Sequence, residues 1–168
     1  SAIDPDNHGK VLWEEPFEVG AGMTISTPRK QGERLFVTGF YCGPLMIDLG
    51  ADGKTPNVLW RTAAGSNEVK NDSMHAVMCT PLVTEDYVYG VGSYGDLRCL
   101  NAETGKKEWE TRDATGDGRW WNAFIIPLGD KPTAEGARRV LIHNEQGELI
   151  LAELSPAGYH ELSRSMLI

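Results

Sequence analysis

Two short stretches of the sequence have the residue types and spacing of ligand-binding loops. Residues 4–15 follow the order Asp-x-Asp-x-His-Gly-x-x-x-x-x-Glu of a helical calcium-binding loop, except that His8 stands where Asp or Asn is usual. Residues 90–95 follow Gly-x-Gly-x-x-Gly, which lets a backbone approach a dinucleotide pyrophosphate. The first site needs flanking helices and the second needs a following helix, and no helical pattern is present at either. We therefore predict that both are turns, with no metal site.

Nucleophilic and thiol chemistry are not indicated. The sequence has no Gly-x-Ser-x-Gly elbow and no local Ser, His and Asp signature of a hydrolase. Cys42, Cys79 and Cys99 form neither a Cys-x-x-Cys motif nor an adjacent pair, so neither a zinc site nor a disulfide framework is indicated. Each lies in a strand-like apolar run, which favours small buried hydrophobes, although one pair could bridge in an oxidising compartment.

Composition limits the class of protein. The chain has 168 residues and a net charge of −8, which disfavours a nucleic-acid surface because such a surface needs clustered Lys and Arg. No apolar run is long enough to span a membrane. The 19 Gly and 9 Pro favour many short strands and turns over long helices.

An internal repeat organises these strands. Its period of about 50 residues, with four apolar runs in each copy, is typical of four-stranded propeller blades. We predict an all-β partial β-propeller in a single domain, with complete antiparallel blades at roughly 23–62, 76–111 and 120–164 and an orphan outer strand at 10–15. The first strand of the second complete blade is predicted over 77–83, and the open arc is expected to self-associate through its exposed blade faces. The repeated signals are Gly-x-Leu at 43–45, 95–97 and 147–149, and a tryptophan closing 11–13, 58–60 and 107–109.

Residues 99–109 resemble the tryptophan-docking repeat of the pyrroloquinoline-quinone-like propeller family, Ala-x-Asp-x-x-x-Gly-x-x-x-Trp, with Cys99 and Asn101 replacing its Ala and Asp. Earlier copies keep the Trp, and the resemblance covers essentially the whole chain. The stretches 74–100, 119–124 and 154–159 are similar to exported bacterial proteins of the Planctomycetes type, which are likened to the outer-membrane assembly lipoprotein. The resemblance implies a fold and an exported location, periplasmic or in the cell envelope, but no established reaction.

Two activities compete within that family. Quinone-dependent dehydrogenases hold the cofactor with an adjacent cysteine pair and a calcium bound by Glu, Asn and Asp, and this chain has no adjacent cysteines. We therefore expect a non-enzymatic scaffold that needs no cofactor. The alternative is an oxidoreductase that uses pyrroloquinoline quinone with calcium, with most of its site outside these residues.

The repeated tryptophans Trp13, Trp60 and Trp109 are predicted to be structural. Ligand stacking is possible for an aromatic ring, but repetition at the blade period is what packing between neighbouring blades requires. We expect each ring to dock on the next blade.

The candidate binding residues precede the first strand of each blade, where residues crowd around the mouth of a propeller channel. Together they offer hydrogen-bonding groups, a cation and aromatic faces, which suit an anionic group, a sugar or a peptide, and hence a protein or glycan partner. Taken singly, each has a structural explanation, as a hydrogen-bonded loop residue or a packing residue. A copper site of Met74, His75 and Met78 is conceivable by ligand softness but weakly indicated. The candidates are His75, Met78, Arg119, Trp120, Asn122, Met23 and Thr24.

Overall fold

The computed structural model describes residues 1–63, 68–69 and 71–167, and these are built from short antiparallel strands. Within them lie three four-stranded sheets and a two-stranded hairpin, and in each sheet the strands lie side by side in chain order. The hairpin contains β1 (Ala2–Asp4) and β2 (Lys10–Trp13). Sheet 1 contains β3 (Arg29–Gln31), β4 (Arg34–Val37), β5 (Leu45–Asp48) and β6 (Asn57–Arg61); sheet 2 contains β7 (Leu82–Val83), β8 (Tyr87–Val91), β9 (Leu97–Asn101) and β10 (Lys107–Thr111); sheet 3 contains β11 (Ala123–Pro127), β12 (Arg138–Asn144), β13 (Glu148–Ser155) and β14 (Gly158–Met166).

The core lies between the sheets, and sheet 2 is buried on both of its faces. Because side chains alternate along a strand, neighbouring residues of sheet 2 enter different clusters. Val88 and Leu100 pack with Phe36 of sheet 1. Tyr89 and Cys99 belong to the cluster that contains the buried aliphatic residues of sheet 3. The prediction of an all-β chain with four-stranded antiparallel sheets is confirmed.

The strand predicted at 10–15 is not an orphan, which corrects the prediction. It is shorter, Lys10–Trp13, and pairs with Ala2–Asp4 in a hairpin. The turn between them forms because the Asp4 carboxylate accepts the Asp6 N–H at 3.1 Å and His8 adopts a left-handed φ of 53°. The calcium-like spacing of residues 4–15 is therefore explained by a turn within a hairpin.

The strand predicted over 77–83 is also shorter than expected. Only Leu82–Val83 pairs with β8. The preceding backbone is bonded to side chains from three other segments instead of a strand ladder: the Thr38 hydroxyl donates to the Met74 carbonyl, the Ser93 hydroxyl to the His75 carbonyl, and the Met78 N–H to Asn122. Side-chain partners of this kind leave no pattern in the local sequence.

The three cysteines are free thiols in different surroundings. Cys79 and Cys99 are buried, and burial raises the pKa of the Cys79 thiol to about 11 and that of Cys99 to about 12, so both stay protonated at neutral pH. Cys42, half-buried in the turn before β5, and Cys79, in the segment before β7, both lie outside strands, which corrects their predicted placement. No helix within residues 1–63, 68–69 and 71–167 is long and apolar enough to cross a bilayer.

Candidate functional site

Three tryptophans join consecutive sheets in the same way. The indole N–H of Trp13 donates to the Gly53 carbonyl at 3.0 Å, that of Trp60 to Ala102 at 2.9 Å, and that of Trp109 to Ser155 at 2.8 Å. Each acceptor lies at the connection between the third and fourth strands of the next sheet. The geometry gives these rings a structural position, because each is bonded to a neighbouring backbone.

Sheet 3 has no tryptophan at the equivalent position of its fourth strand. The pairing between the third and fourth strands of each sheet contains one register shift. Along the fourth strand, the first paired residue after the shift is Trp60 in sheet 1 and Trp109 in sheet 2. In sheet 3 this residue is Ser163, which pairs with Leu151. The sequence did not predict that Ser163 takes the place of a tryptophan, because β13 and β14 are joined by a shorter turn. The shorter turn removes the Gly-x-x-x-Trp spacing of the repeat.

The predicted binding residues Arg119 and Trp120 meet around Phe40, which sequence reasoning missed. The Phe40 and Trp120 rings are stacked with their centroids 4.5 Å apart. The Arg119 guanidinium carbon lies 4.7 Å from the Trp120 centroid and 5.5 Å from that of Phe40, within cation–π range of both. We call these three residues the aromatic platform; 38% of Trp120 remains exposed.

Trp120 is held in a backbone conformation that large side chains rarely adopt. Its φ is 74°, in the left-handed region. Its N–H donates to the Ser93 carbonyl at 3.0 Å, and its carbonyl accepts from the Asn122 amide. Asn122 also accepts the Met78 N–H at 3.4 Å, so the platform is tied to the segment that carries His75. Strained residues fixed in this way are frequent at functional sites.

His75 is buried and contacts the aromatic platform through the backbone of Phe40. Its side chain is 1% exposed, and its Nδ1 donates to the Phe40 carbonyl at 2.9 Å. Because a carbonyl can only accept, the proton of the neutral ring lies on Nδ1. The other nitrogen, Nε2, has no hydrogen-bond partner among the described residues. Burial, with a smaller contribution from the nearby Arg98 cation, lowers the His75 pKa below its ordinary value of 6.5.

Phe40 is buried, with 1% of its surface exposed, and it also contacts a residue that lines a cleft. The Tyr41 ring packs edge-on against Phe40 with a centroid distance of 4.5 Å. Tyr41 also lines a cleft of about 460 Å³ together with Phe17, Glu18 and Arg61. Ring contacts therefore connect the partly exposed Trp120, through the buried Phe40, to Tyr41 at the cleft.

The remaining predicted residues lie apart from the platform. Met23 is half-buried and donates its N–H to Gly20 at 3.1 Å in a turn, while Thr24 is exposed. No described contact links either of them to Arg119 or Trp120. Met74 is fully buried in the core, whereas Met78 is 43% exposed.

The glycine-rich stretch at 90–95 forms the turn between β8 and β9. Gly92 donates its N–H to the Asp96 carbonyl at 2.8 Å, and Gly95 has a φ of 86°. A side chain at Gly95 would come within 2.5 Å of the Gly116 carbonyl, so packing explains this glycine. β9 follows as a strand and provides no helix N-terminus for a phosphate.

Sequence reasoning missed Phe40 and Ser93 because both act through contacts distant in the chain. Phe40 contacts residues 35 and 80 positions away, and the Ser93 carbonyl accepts from Trp120, 27 positions away in the next repeat. The only available signal was an aromatic pair, Phe40 and Tyr41, directly before the repeated glycine Gly43. The assembled site has a fixed aromatic face, a cation and a cleft, which are the elements of a recognition surface.

Known proteins resemble this chain in sequence pattern and in fold. The family model described as "Outer membrane protein assembly factor BamB" matches residues 1–147. A comparison with curated protein sequences found no match. BamB from Moraxella catarrhalis has a similar structure, with a TM-score of 0.58 and 17% identity over 86% of this chain and 36% of that one.

Two other solved structures have the same fold. The WD40 domain of SCAP from fission yeast has a TM-score of 0.53 and 14% identity, over 91% of this chain and 36% of that one. The quinohemoprotein alcohol dehydrogenase ADHIIG from Pseudomonas putida HK5 has a TM-score of 0.51 and 15% identity, over 88% of this chain and 21% of that one. The chain thus spans 36% or less of the length of each of these proteins.

These likenesses confirm the predicted partial β-propeller and the predicted resemblance to the pyrroloquinoline-quinone-like repeat family. At this level of identity the solved structures show the fold, while the family model matches most of the chain. The chain belongs to the propeller family described as outer membrane protein assembly factor BamB.

Proposed function

We propose that the chain is a non-enzymatic propeller scaffold that presents the aromatic platform and its adjoining cleft to a protein partner. The observation that carries the proposal is Trp120, which is partly exposed while both of its backbone polar groups are bonded in a left-handed conformation. A rigid aromatic residue loses little conformational entropy on binding and is typical of interface hot spots.

Three finer features belong to the same proposal. A protein partner is favoured over a glycan because the matching family is described as an assembly factor. An exported location, periplasmic or in the cell envelope of a bacterium, is supported by the same description. Self-association through sheet 3 is a secondary proposal, supported by Phe124 and Ile126, which are half-exposed side by side on β11.

We expect Trp120→Ala to weaken binding of a peptide partner by about 2 kcal/mol or more, the size of an interface hot spot. Peptides selected on the wild-type chain from a displayed library serve as probes, and affinity is measured by calorimetry. Arg119→Ala should weaken the same peptides, whereas Lys131→Ala, on an exposed turn of sheet 3, should not. Equal peptide affinity in all variants would contradict the proposal, and a glycan-array signal lost in Trp120→Ala would replace the protein partner with a glycan.

The alternative function is a quinone-dependent oxidoreductase, suggested by the similarity to the fold of a quinohemoprotein alcohol dehydrogenase. The adjacent cysteine pair expected of such a quinone site is not found among the described residues. No group of three His, Cys, Asp or Glu side chains converges in this part of the chain, and Cys42, Cys79 and Cys99 are separate.

Addition of pyrroloquinoline quinone and calcium is therefore expected to leave the melting temperature unchanged. A ligand that binds only the folded state must raise the melting temperature through mass action. The measurement is a thermal titration, with each component alone as the control. A saturable rise that requires both components would favour the oxidoreductase and overturn the scaffold proposal.

A further inference from the structure

Three strands that each form the edge of a sheet meet around a groove of about 230 Å³. β7 contacts both β3 and β11. The groove is lined by Arg29–Gln31 of β3, residues 80–83 in and before β7, and Ile125 and Pro127 of β11. None of these residues belongs to the aromatic platform or lines the cleft beside it, so the groove is a separate feature of the chain.

The groove is positively charged although the chain as a whole has a net charge of −8. Arg29 and Lys30 line it, and its described lining contains no Asp or Glu. A neighbouring cleft shares Gln31 with the groove and is lined by Arg34 and by three carboxylates, those of Glu33, Asp48 and Glu85. The uncompensated positive charge is therefore confined to the groove, which suits a single anionic group and not an extended polyanion.

Arg29 is the cation available to a ligand. Its register partner on β4 is Phe36, which packs towards sheet 2, so the Arg29 side chain lies on the face of sheet 1 that is turned towards β7. Every other arginine of the chain has an acceptor for its guanidinium, whereas that of Arg29 has none among the described residues. Its parallel N–H groups are therefore open to a carboxylate, which guanidinium groups bind with two hydrogen bonds.

Thr80 supplies a second donor beside an apolar wall. Its hydroxyl accepts the Thr27 N–H at 3.0 Å, and because this leaves the hydroxyl proton unused, Thr80 can donate to an anion. Pro81, Ile125 and Pro127 make the rest of the lining apolar. An inorganic anion would contact only the donors, whereas a carboxylate carried by a peptide would also place neighbouring apolar groups against this wall.

We propose that this groove binds an acidic side chain of a peptide, with the carboxylate on Arg29 and Thr80 and a flanking apolar side chain against Pro81 and Ile125. Charge complementarity selects the acidic group, and the apolar wall favours a peptide over a free anion. The proposal is independent of the proposed function, because no residue of the aromatic platform takes part.

The test is an NMR titration of the isotope-labelled chain with a blocked peptide that carries one glutamate between two leucines. We expect saturable shifts of the amide signals of residues 29–31 and 80–83, and none with the matching glutamine peptide, which has the same shape without the charge. Arg29→Gln should weaken binding about tenfold or more, the effect of losing a charge-assisted hydrogen bond. Arg139→Gln removes the same charge from an exposed position on sheet 3 and should bind as wild type does.

The proposal is wrong if the two peptides bind alike, if neither shifts these signals, or if Arg29→Gln binds as tightly as wild type. Inorganic phosphate is titrated separately, and shifts caused by phosphate but not by the peptide would also overturn it, by making the groove a site for free anions. The same spectra show that each variant is folded. Trp120→Ala should bind the glutamate peptide as wild type does, so failure of this site and failure of the platform are separate results.

Discussion

Trp109→Ala is expected to lower the free energy of unfolding by about 3–5 kcal/mol, because its partly buried ring packs against the larger buried cluster. Trp109 closes sheet 2 against sheet 3, with its ring 6.2 Å from that of Tyr89 and its indole N–H bonded to Ser155. Truncation leaves a cavity beside the larger buried cluster and removes the partner of the Ser155 carbonyl. The joint between the two sheets should therefore loosen before the sheets themselves.

Chemical denaturation followed by circular dichroism measures this loss. Trp109→Phe keeps most of the ring but removes the N–H, and should lose about 1–2 kcal/mol, so the two variants separate packing from hydrogen bonding. Trp13→Ala removes the equivalent residue of the terminal hairpin, whose strands are largely exposed, and should lose less than Trp109→Ala. A loss below about 1 kcal/mol for Trp109→Ala would contradict a structural role.

The repeat predicted the sheets because their strands obey local rules. Alternating apolar residues and glycine-containing turns specify strands wherever they occur, and a tryptophan recurring at the same register marks the joint between sheets. The sheets span 29–61, 82–111 and 123–166, and the strands within them follow the four apolar runs of each copy. The equivalent position in sheet 3 could not be predicted, because Ser163 gives no sequence signal where a tryptophan is expected.

The platform could be predicted only in part, since its geometry depends on loops. Arg119, Trp120 and His75 were recognisable as chemistry-bearing residues that precede strands. The left-handed conformation of Trp120 and its stacking on Phe40 arise from hydrogen bonds between different repeats, which no local pattern encodes. Met23 and Thr24 precede the corresponding strand of sheet 1, but no described contact joins either residue to Arg119 or Trp120. Equivalent positions in a repeat therefore predicted equivalent strands but not equivalent loop contacts.

Arg98→Met is expected to lower the free energy of unfolding by about 3–5 kcal/mol, as when one partner of a buried ion pair is removed. The Arg98 side chain is 8% exposed, and its Nη2 lies 3.2 Å from Asp96 Oδ2. Its Nη1 donates to Asn71 at 2.8 Å and to the Ser73 carbonyl, while Nε lies 3.2 Å from Glu110 without hydrogen-bond alignment. Methionine fills a similar volume, so the loss would come from the stranded polar groups.

Two further variants test that explanation by denaturation. Arg139→Met breaks an ion pair with Glu153 of similar length, 2.7 Å, but the Arg139 side chain is 51% exposed, so we expect a loss within about 1 kcal/mol. Asp96→Ala combined with Arg98→Met removes both charges of this pair, and Arg112, which reaches water, keeps Asp117 as a carboxylate partner. Because each single variant leaves the other charge of the pair without this partner, the double variant should lose less than the sum of the two single variants. Strict additivity would show that Arg98 stabilises the fold by packing its aliphatic stem and not by neutralising Asp96.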